Sequence, residues 1–180
     1  MSTPSDRPDG IPANGHSATR PRLVAGVDGS AGARACLLWA LGEAARRGAE
    51  LEVVGAVPVD VYWPDPYLVD AGRIDAFRAD TAARASALVE EIRRDPAAAG
   101  SSGVPVRVEV HMGPAAEILV QQAEGADLLV VGSRGRSGTR STLLGSVALH
   151  CVVHASVPVM VVHAETAERP AVPLATAVRG

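Results

Sequence analysis

Lysine is absent from this chain of 180 residues, so all 17 of its Lys-or-Arg positions are arginines. A P-loop needs a lysine to reach the β- and γ-phosphates of a nucleotide. Schiff-base enzymes, including those that carry pyridoxal phosphate, need a lysine amine. The composition therefore excludes these classes of protein.

Cysteine and long apolar runs are also scarce. The chain has two cysteines, Cys36 and Cys151, in separate apolar helical patterns, which is typical of buried thiols and not of a disulfide framework. No apolar run reaches the roughly 18 residues that a membrane helix needs, and the N-terminal residues lack the apolar segment of a signal peptide. The net charge of −3 argues against a nucleic-acid partner. We therefore expect a cytoplasmic protein without membrane association.

The two ends of the chain differ in composition from the middle. Residues 1–20 are rich in proline, serine, glycine and aspartate, and residues 164–180 are similar. Such segments bury too little apolar surface to order themselves, so both are predicted to be disordered tails. The folded part is then a single domain, residues 21–163.

Within that domain, short apolar runs alternate with helical patterns. The predicted strands are 23–27, 51–57, 104–110, 128–131 and 157–162, and the predicted helices are 31–47, 70–94, 114–124 and 146–155. Strands that are apolar on both faces must be covered on both sides. The pattern predicts a Rossmann-like α/β fold, a doubly wound five-stranded parallel sheet with helices on both faces and strand order 3-2-1-4-5.

A glycine-rich segment with several arginines, GSRGRSGTRSTLLGS (132–146), follows the fourth predicted strand and precedes the last helix. Gly132 and Gly135 let the backbone approach a ligand, and Gly145-Ser146 presents free N–H groups at a helix start. No acidic residue lies between Asp127 and Glu165, so the arginines make this the cationic region of the chain. The pattern favours a phosphate-binding loop over an ordinary surface loop.

Strand order 3-2-1-4-5 would place a second loop beside this one, because strands one and four are then neighbours. Asp28-Gly29-Ser30 follows the first strand, and both loops would face one crevice beyond the carboxyl ends of the strands. The carboxylate of Asp28 suits ribose hydroxyls, although an aspartate before a helix also commonly caps that helix. The arrangement predicts a nucleotide site.

Three features together resemble the universal stress protein family over about residues 22–163. They are LVAGVDGS (23–30), the glycine spacing of residues 132, 135, 145 and 146, and the closing VPVMVV (157–162). The resemblance implies an ATP-binding member of the family, with Mg²⁺ as a second cofactor. One departure is Ala56, which stands where the family often has a histidine and makes the pocket wall smaller.

The resemblance also implies roles for individual residues. Asp28 would meet the ribose or the metal, Ala56 and Val57 would line the adenine pocket, and Val131 would flank the base or sugar. Arg134 would add positive charge. The residues that would hold the phosphates, or lie beside them, are Gly132, Gly135, Gly145, Ser146 and Val147.

Three functions remain open from the sequence. The favoured one is an ATP-binding regulatory factor in the stress response, which acts on an unknown protein partner. The alternatives are a slow ATPase or nucleotidyl transferase, and a structural dimer that does not use nucleotide. No catalytic residue is predicted, because no activated nucleophile or base is visible near the loop. His150 and His154, spaced i and i+4, are interpreted as helix surface or packing and not as a zinc pair.

The last predicted strand, 157–162, would lie at an edge of the sheet. Its apolar composition lacks the charges that normally protect an exposed edge. We therefore expect a homodimer joined through this strand, as the family resemblance also implies. The alternative is that the C-terminal tail covers the edge.

Overall fold

The computed structural model describes residues 20–57, 71–135 and 144–164. The predicted tails lie outside these residues, except for residues 20 and 164, and so do Arg136 and Arg140 of the glycine-rich segment. The strands are β1 (Arg22–Val27), β2 (Glu50–Val57), β3 (Val106–Met112), β4 (Leu128–Gly132) and β5 (Val159–Val162). The helices are α1 (Ala31–Arg47), α2 (Ala71–Arg93), α3 (Ala115–Gln122) and α4 (Ser146–His154), with a short 3-10 helix at Pro96–Ala98.

All strand pairs are parallel, and the strands lie in the order β3-β2-β1-β4-β5. The predicted fold is confirmed. Strand β1 borders both β2 and β4, so the winding reverses between β1 and β4. This reversal brings the loops that follow these two strands together.

Two apolar cores explain why the strands carry so few polar residues. Alternate residues of β1, such as Leu23 and Ala25, pack with buried residues of α1 and α2 on one face of the sheet. Val24 packs on the other face, with buried residues of α3 and α4 such as Leu119 and Cys151. Each central strand is therefore buried on both sides, as a parallel sheet between helical layers requires.

Helix α1 begins and ends at its predicted residues, because both ends carry strong signals. The Ala33 N–H donates to the Ser30 hydroxyl at 3.2 Å, and Gly48 ends the helix with φ of 62°. Such an N-cap and such a left-handed glycine are the preferred helix boundaries. None of the helices in the described ranges is long and apolar enough to cross a membrane.

Several other boundaries were predicted wrongly by one or two residues, and prolines account for two of them. Strands β3 and β5 each begin two residues later than expected, directly after Pro105 and Pro158. A proline has no N–H to donate to a neighbouring strand. Pro114 precedes α3 as its N-cap and is not in its first turn, and α3 ends two residues before the predicted end at residue 124.

Candidate functional site

The turn between β1 and α1 forms one side of the candidate site. The pairs Leu23↔Leu128 and Ala25↔Val130 align β1 with β4, so Asp28 emerges beside the end of β4. The exposed Asp28 accepts a hydrogen bond from the Ser30 N–H on Oδ1, at 3.0 Å. Because Ser30 itself caps α1, the alternative role of Asp28 as the helix cap is wrong. Its carboxylate instead closes the turn that leads to the cap.

The two ends of the glycine-rich segment meet at Ser133, which is 2% exposed. The Ser133 N–H donates to the Val162 carbonyl at 2.7 Å, and the Ser133 carbonyl accepts from the Gly145 N–H at 2.7 Å. The expectation that the Gly145 N–H is free is therefore wrong. The segment leaves and returns to the sheet at one point, next to the end of β5.

Helix α4 begins directly after this junction. Gly145 is its N-cap and makes no side-chain capping bond. The first intrahelical bond runs from the Leu149 N–H to the Gly145 carbonyl, at 3.0 Å. The N–H groups of Ser146, Val147 and Ala148 precede that bond and have no acceptor within the helix. The helix start therefore has the donors and the positive dipole end that favour an anion.

Two glycines of the segment lie in close contacts, Gly132 with the backbone of Gly32 and Gly135 with the exposed carboxylate of Asp28, which can rotate away from a side chain. A Cβ on Gly132 would lie 3.0 Å from the carbonyl oxygen of Gly32, and one on Gly135 would lie 2.6 Å from Asp28 Oδ2. Gly145 differs, because a Cβ there would meet its nearest atom, the Ser133 carbonyl oxygen, at 3.5 Å. That is an ordinary van der Waals distance, so contacts with the described residues do not require glycine at 145.

The remaining predicted site residues have different surroundings. Ala56 and Val57 end β2, where Ala56 is half-buried, Val57 is 3% exposed and the Val57 carbonyl accepts from the Gly113 N–H at 2.9 Å. Val131 is 2% exposed and belongs to the core beneath α3 and α4. Arg134 is half-buried. The structure brings the residues that follow β1 and β4 into contact. The roles of Ala56, Val57 and Val131 at a base or sugar stay predictions.

Sequence analysis missed Gly32, in the first turn of α1, which contacts the glycine-rich segment directly. A signal was present, since a glycine within a helix costs about 1 kcal/mol relative to alanine and so calls for a packing or functional reason. The partner of that contact could not be read from the sequence.

Neither cysteine has the properties of a nucleophile. Burial raises the pKa of Cys36 to about 12, and the nearby negative charge of Asp28 acts in the same direction. Burial likewise raises the pKa of Cys151 to about 11. Because the thiolate is the reactive form, both side chains are inert at neutral pH.

The described residues offer few ligands for a metal ion at this site. Among the residues that the structure describes, no three His, Cys, Asp or Glu side chains are grouped to hold a metal. The rings of His150 and His154 lie 4.3 Å apart on α4. Asp28 is thus the described side chain at this end of the sheet that could contribute one carboxylate ligand to Mg²⁺.

Two surface grooves lie away from this site. One, of about 360 Å³, runs between α2 and β3 and is lined by charged residues such as Arg78, Glu109 and His111. Arg78 Nε donates to the Val110 carbonyl at 3.2 Å, whereas His111 Nε2 lies 3.4 Å from Glu109 Oε2 and has no hydrogen-bond partner among the described residues. The other, of about 210 Å³, lies at the opposite end of the sheet, beside Glu50 and Arg107. Neither combines a helix start with closely packed glycine backbone, so the end of β1 and β4 remains the candidate site.

The fold and this site define a doubly wound α/β protein with a glycine-rich turn at the point where the winding reverses. The chain matches the universal stress protein family over residues 19–163 and belongs to that family. A universal stress protein of Mycolicibacterium smegmatis is 30% identical over 151 residues, which are 83% of this chain and 50% of that protein. One of Mycobacterium tuberculosis is 31% identical over 160 residues, 84% of this chain and 50% of that protein. The chain thus spans about half the length of the curated relatives it matches.

Similar solved structures have the same fold. UspA from Lactobacillus plantarum gives a TM-score of 0.62 at 24% identity, over 80% of this chain and 99% of that one. A universal stress protein in complex with cAMP gives 0.55 at 24% identity, over 81% and 98%. One from Archaeoglobus fulgidus in complex with dAMP gives 0.53 at 21% identity, over 80% and 98%. At these identities the likeness establishes the fold.

Proposed function

We propose that this universal stress protein binds ATP with Mg²⁺ beyond the carboxyl ends of β1 and β4, and that it acts in the cytoplasm as a nucleotide-dependent regulatory factor in the stress response. Asp28 would contact the ribose or Mg²⁺, Arg134 would add charge, and the adenine would lie near the end of β2. The phosphates would be held by the backbone at Gly132, Gly135, Gly145, Ser146 and Val147. When bound, Mg²⁺ would neutralise phosphate charge. The cAMP and dAMP complexes of similar proteins are consistent with an adenine nucleotide.

The observation that carries the proposal is Gly145. Its φ of −73° is open to any residue, and a Cβ would meet no atom of residues 20–57, 71–135 and 144–164 closer than 3.5 Å. Serine, threonine, asparagine and aspartate are generally at least as good as glycine at an N-cap. A ligand that approaches the backbone at the start of α4 gives a reason for glycine that the described part of the chain does not.

Gly145→Ala tests this proposal, because the added methyl group is compatible with the fold but would stand where a phosphate approaches. We expect it to weaken Mg·ATP binding at least about tenfold, or about 1.4 kcal/mol, in a calorimetric titration. Gly103→Ala is the matched control, since Gly103 is exposed and a Cβ there would have nothing within 4 Å. Mass spectrometry of nucleotide released from the freshly purified wild type identifies the ligand.

Two results would contradict the proposal. Equal affinity of Gly145→Ala and wild type would remove the start of α4 from the site. A wild type that neither releases nor binds an adenine nucleotide would favour the structural dimer.

The regulatory role also implies slow turnover. The chain has no lysine and its two thiols are inert, so we expect ATP hydrolysis well below the enzyme median of about 10 s⁻¹. Single-turnover incubation with labelled ATP measures it. Phosphate release at ordinary enzyme rates would favour the ATPase instead.

We also propose that two copies of the chain pair through β5. This strand hydrogen-bonds to β4 on one side, and the described residues provide no strand on its other side. Helix α4 beside it exposes Leu149, Val152 and Val153, by 53%, 49% and 64%, and β5 exposes Met160 by 37%. A second copy would cover these apolar side chains and satisfy the free edge.

Sedimentation velocity of Val161→Arg and Met160→Arg tests the pairing, since these neighbours point to opposite faces of β5. We expect a wild-type dimer at micromolar concentration and a monomer for the variant whose face is buried in the interface. A monomeric wild type would exclude the homodimer. A dimer unaffected by both variants would exclude β5 as its interface.

A further inference from the structure

The first turn of α1 and the start of the glycine-rich segment touch through their backbones. A Cβ on Gly32 would overlap the carbonyl oxygen of Arg134. In the opposite direction, a Cβ on Gly132 would lie 3.0 Å from the carbonyl oxygen and 3.1 Å from the carbonyl carbon of Gly32. Because neither residue has a side chain, the backbones of the helix and the loop can come into direct contact here. A side chain at either position would push them apart.

Conformation alone does not require glycine at position 32. Gly32 lies within the helix and is not among the glycines of positive φ. Helix α1 has a second glycine, Gly42, around which a Cβ would meet no atom of the described residues within 4 Å. What distinguishes the two is therefore the contact of Gly32 with Arg134.

The same peptide links this contact to Asp28. The Arg134 carbonyl that packs on Gly32 belongs to the peptide bond that leads into Gly135. Gly135 in turn lies so close to Asp28 that its Cβ would come within 2.6 Å of Oδ2. A side chain at position 32 would displace this peptide and so change the spacing between the loop backbone and the carboxylate.

We propose that Gly32 is a positioning residue of the nucleotide site, which acts through the Arg134 carbonyl to set the position of the Arg134–Gly135 peptide beside Asp28. This inference rests on the proposed function, because ATP would bridge Asp28 and the loop. Binding groups contribute fully only when they are held close to the productive geometry. Gly32 itself need not touch the ligand.

Gly32→Ala tests the proposal, with Gly42→Ala in the same helix as the matched control. We expect Gly32→Ala to weaken Mg·ATP binding at least about tenfold while adenosine, which lacks phosphates, binds within about twofold of wild type. Gly42→Ala should bind both ligands as the wild type does and should raise the free energy of unfolding by up to about 1 kcal/mol. The ratio of ATP to adenosine affinity separates loop positioning from a general loss of stability.

A second measurement needs no nucleotide. Limited trypsin digestion followed by mass spectrometry reports cleavage at the Arg134–Gly135 bond, whose carbonyl packs on Gly32. We expect faster cleavage at this bond in Gly32→Ala than in wild type and Gly42→Ala, with unchanged rates at Arg residues of α2.

The outcomes distinguish this inference from the proposed function. If wild type binds ATP and Gly32→Ala binds it with equal affinity, the positioning role is overturned while the ATP site stands. The same conclusion follows if Gly32→Ala loses affinity for ATP and for adenosine by the same factor. If wild type binds no ATP, the function and the positioning of a nucleotide both fail. Faster cleavage at Arg134–Gly135 would then still confirm that Gly32 holds the loop.

Discussion

The two ends of the sheet are constructed differently. At the amino end, Arg22 on β1 donates to Glu52 Oε2 at 2.9 Å, to the Gln122 carbonyl at 3.0 Å and to the Glu124 carbonyl at 2.7 Å. The Arg22 backbone N–H donates to Asp127 Oδ2 at 2.8 Å. Side chains therefore join β1, β2, α3 and β4 at this end.

At the carboxyl end the contacts are made mainly by backbone. Gly32, Gly132 and Gly135 have no side chain to separate the loops, and α4 begins without a side-chain cap. The N–H groups at the start of α4 have no acceptor within the helix, and glycine backbone packs closely beside them. This arrangement favours the binding of an anion more than it stabilises the fold. We therefore expect substitutions at the amino end to change the stability of the sheet, and substitutions at the carboxyl end to change the proposed nucleotide binding.

The largest effect that would test this separation is the loss of Arg22. Glu52 is only 6% exposed, so Arg22→Met leaves a buried carboxylate without its charged partner. We expect the free energy of unfolding to fall by about 3 kcal/mol, measured by urea denaturation, with Mg·ATP affinity unchanged in the protein that remains folded.

The double variant Arg22→Met, Glu52→Met is the control for this prediction. It removes both charges, so it should recover much of the lost stability. If the double variant is no more stable than Arg22→Met, the buried carboxylate is not the cause. If Arg22→Met also lowers the Mg·ATP affinity of the protein that remains folded, the two ends of the sheet are energetically coupled.

Sequence reasoning found the strands, their order and the meeting of the β1 and β4 loops, because these depend on local patterns and on the winding of the chain. It did not find the Arg22 network or the contact of Gly32 with Arg134, since these join residues that are 30 to 105 positions apart in the sequence. It also assigned a free N–H to Gly145, because nothing local reveals that Ser133 accepts from it. Such pairings depend on tertiary packing.

A smaller effect is expected from Asp28→Asn at the carboxyl end. Asparagine keeps a side-chain oxygen for the Ser30 N–H, so the turn should survive while the charge is lost. We expect Mg·ATP affinity to fall about tenfold, with no such loss for ATP without Mg²⁺, because removal of a negative charge near the triphosphate offsets the lost contact. Calorimetric titrations with and without Mg²⁺ measure both.

The matched control at the amino end is Asp127→Asn, which retains an oxygen for the Arg22 N–H. It should leave Mg·ATP affinity as in wild type. An equal loss in both variants would attribute the effect to net charge and not to the site.

The smallest effect concerns Cys36, where the charge of Asp28 adds to the effect of burial. Because the chain has no lysine, cysteine and tyrosine are the side chains whose ordinary pKa values lie between about 8 and 10.5.

The folded state raises the pKa of Cys36 from 9.0 to about 12. Its contribution to stability is therefore fully present below pH 9 and is lost as the pH rises from about 9 towards 12. From pH 8 to pH 10 we expect this thiol to lower the free energy of unfolding by about 1 kcal/mol. Urea denaturation of wild type and Cys36→Ala at both pH values measures it, and an equal pH dependence in the two proteins would contradict the prediction.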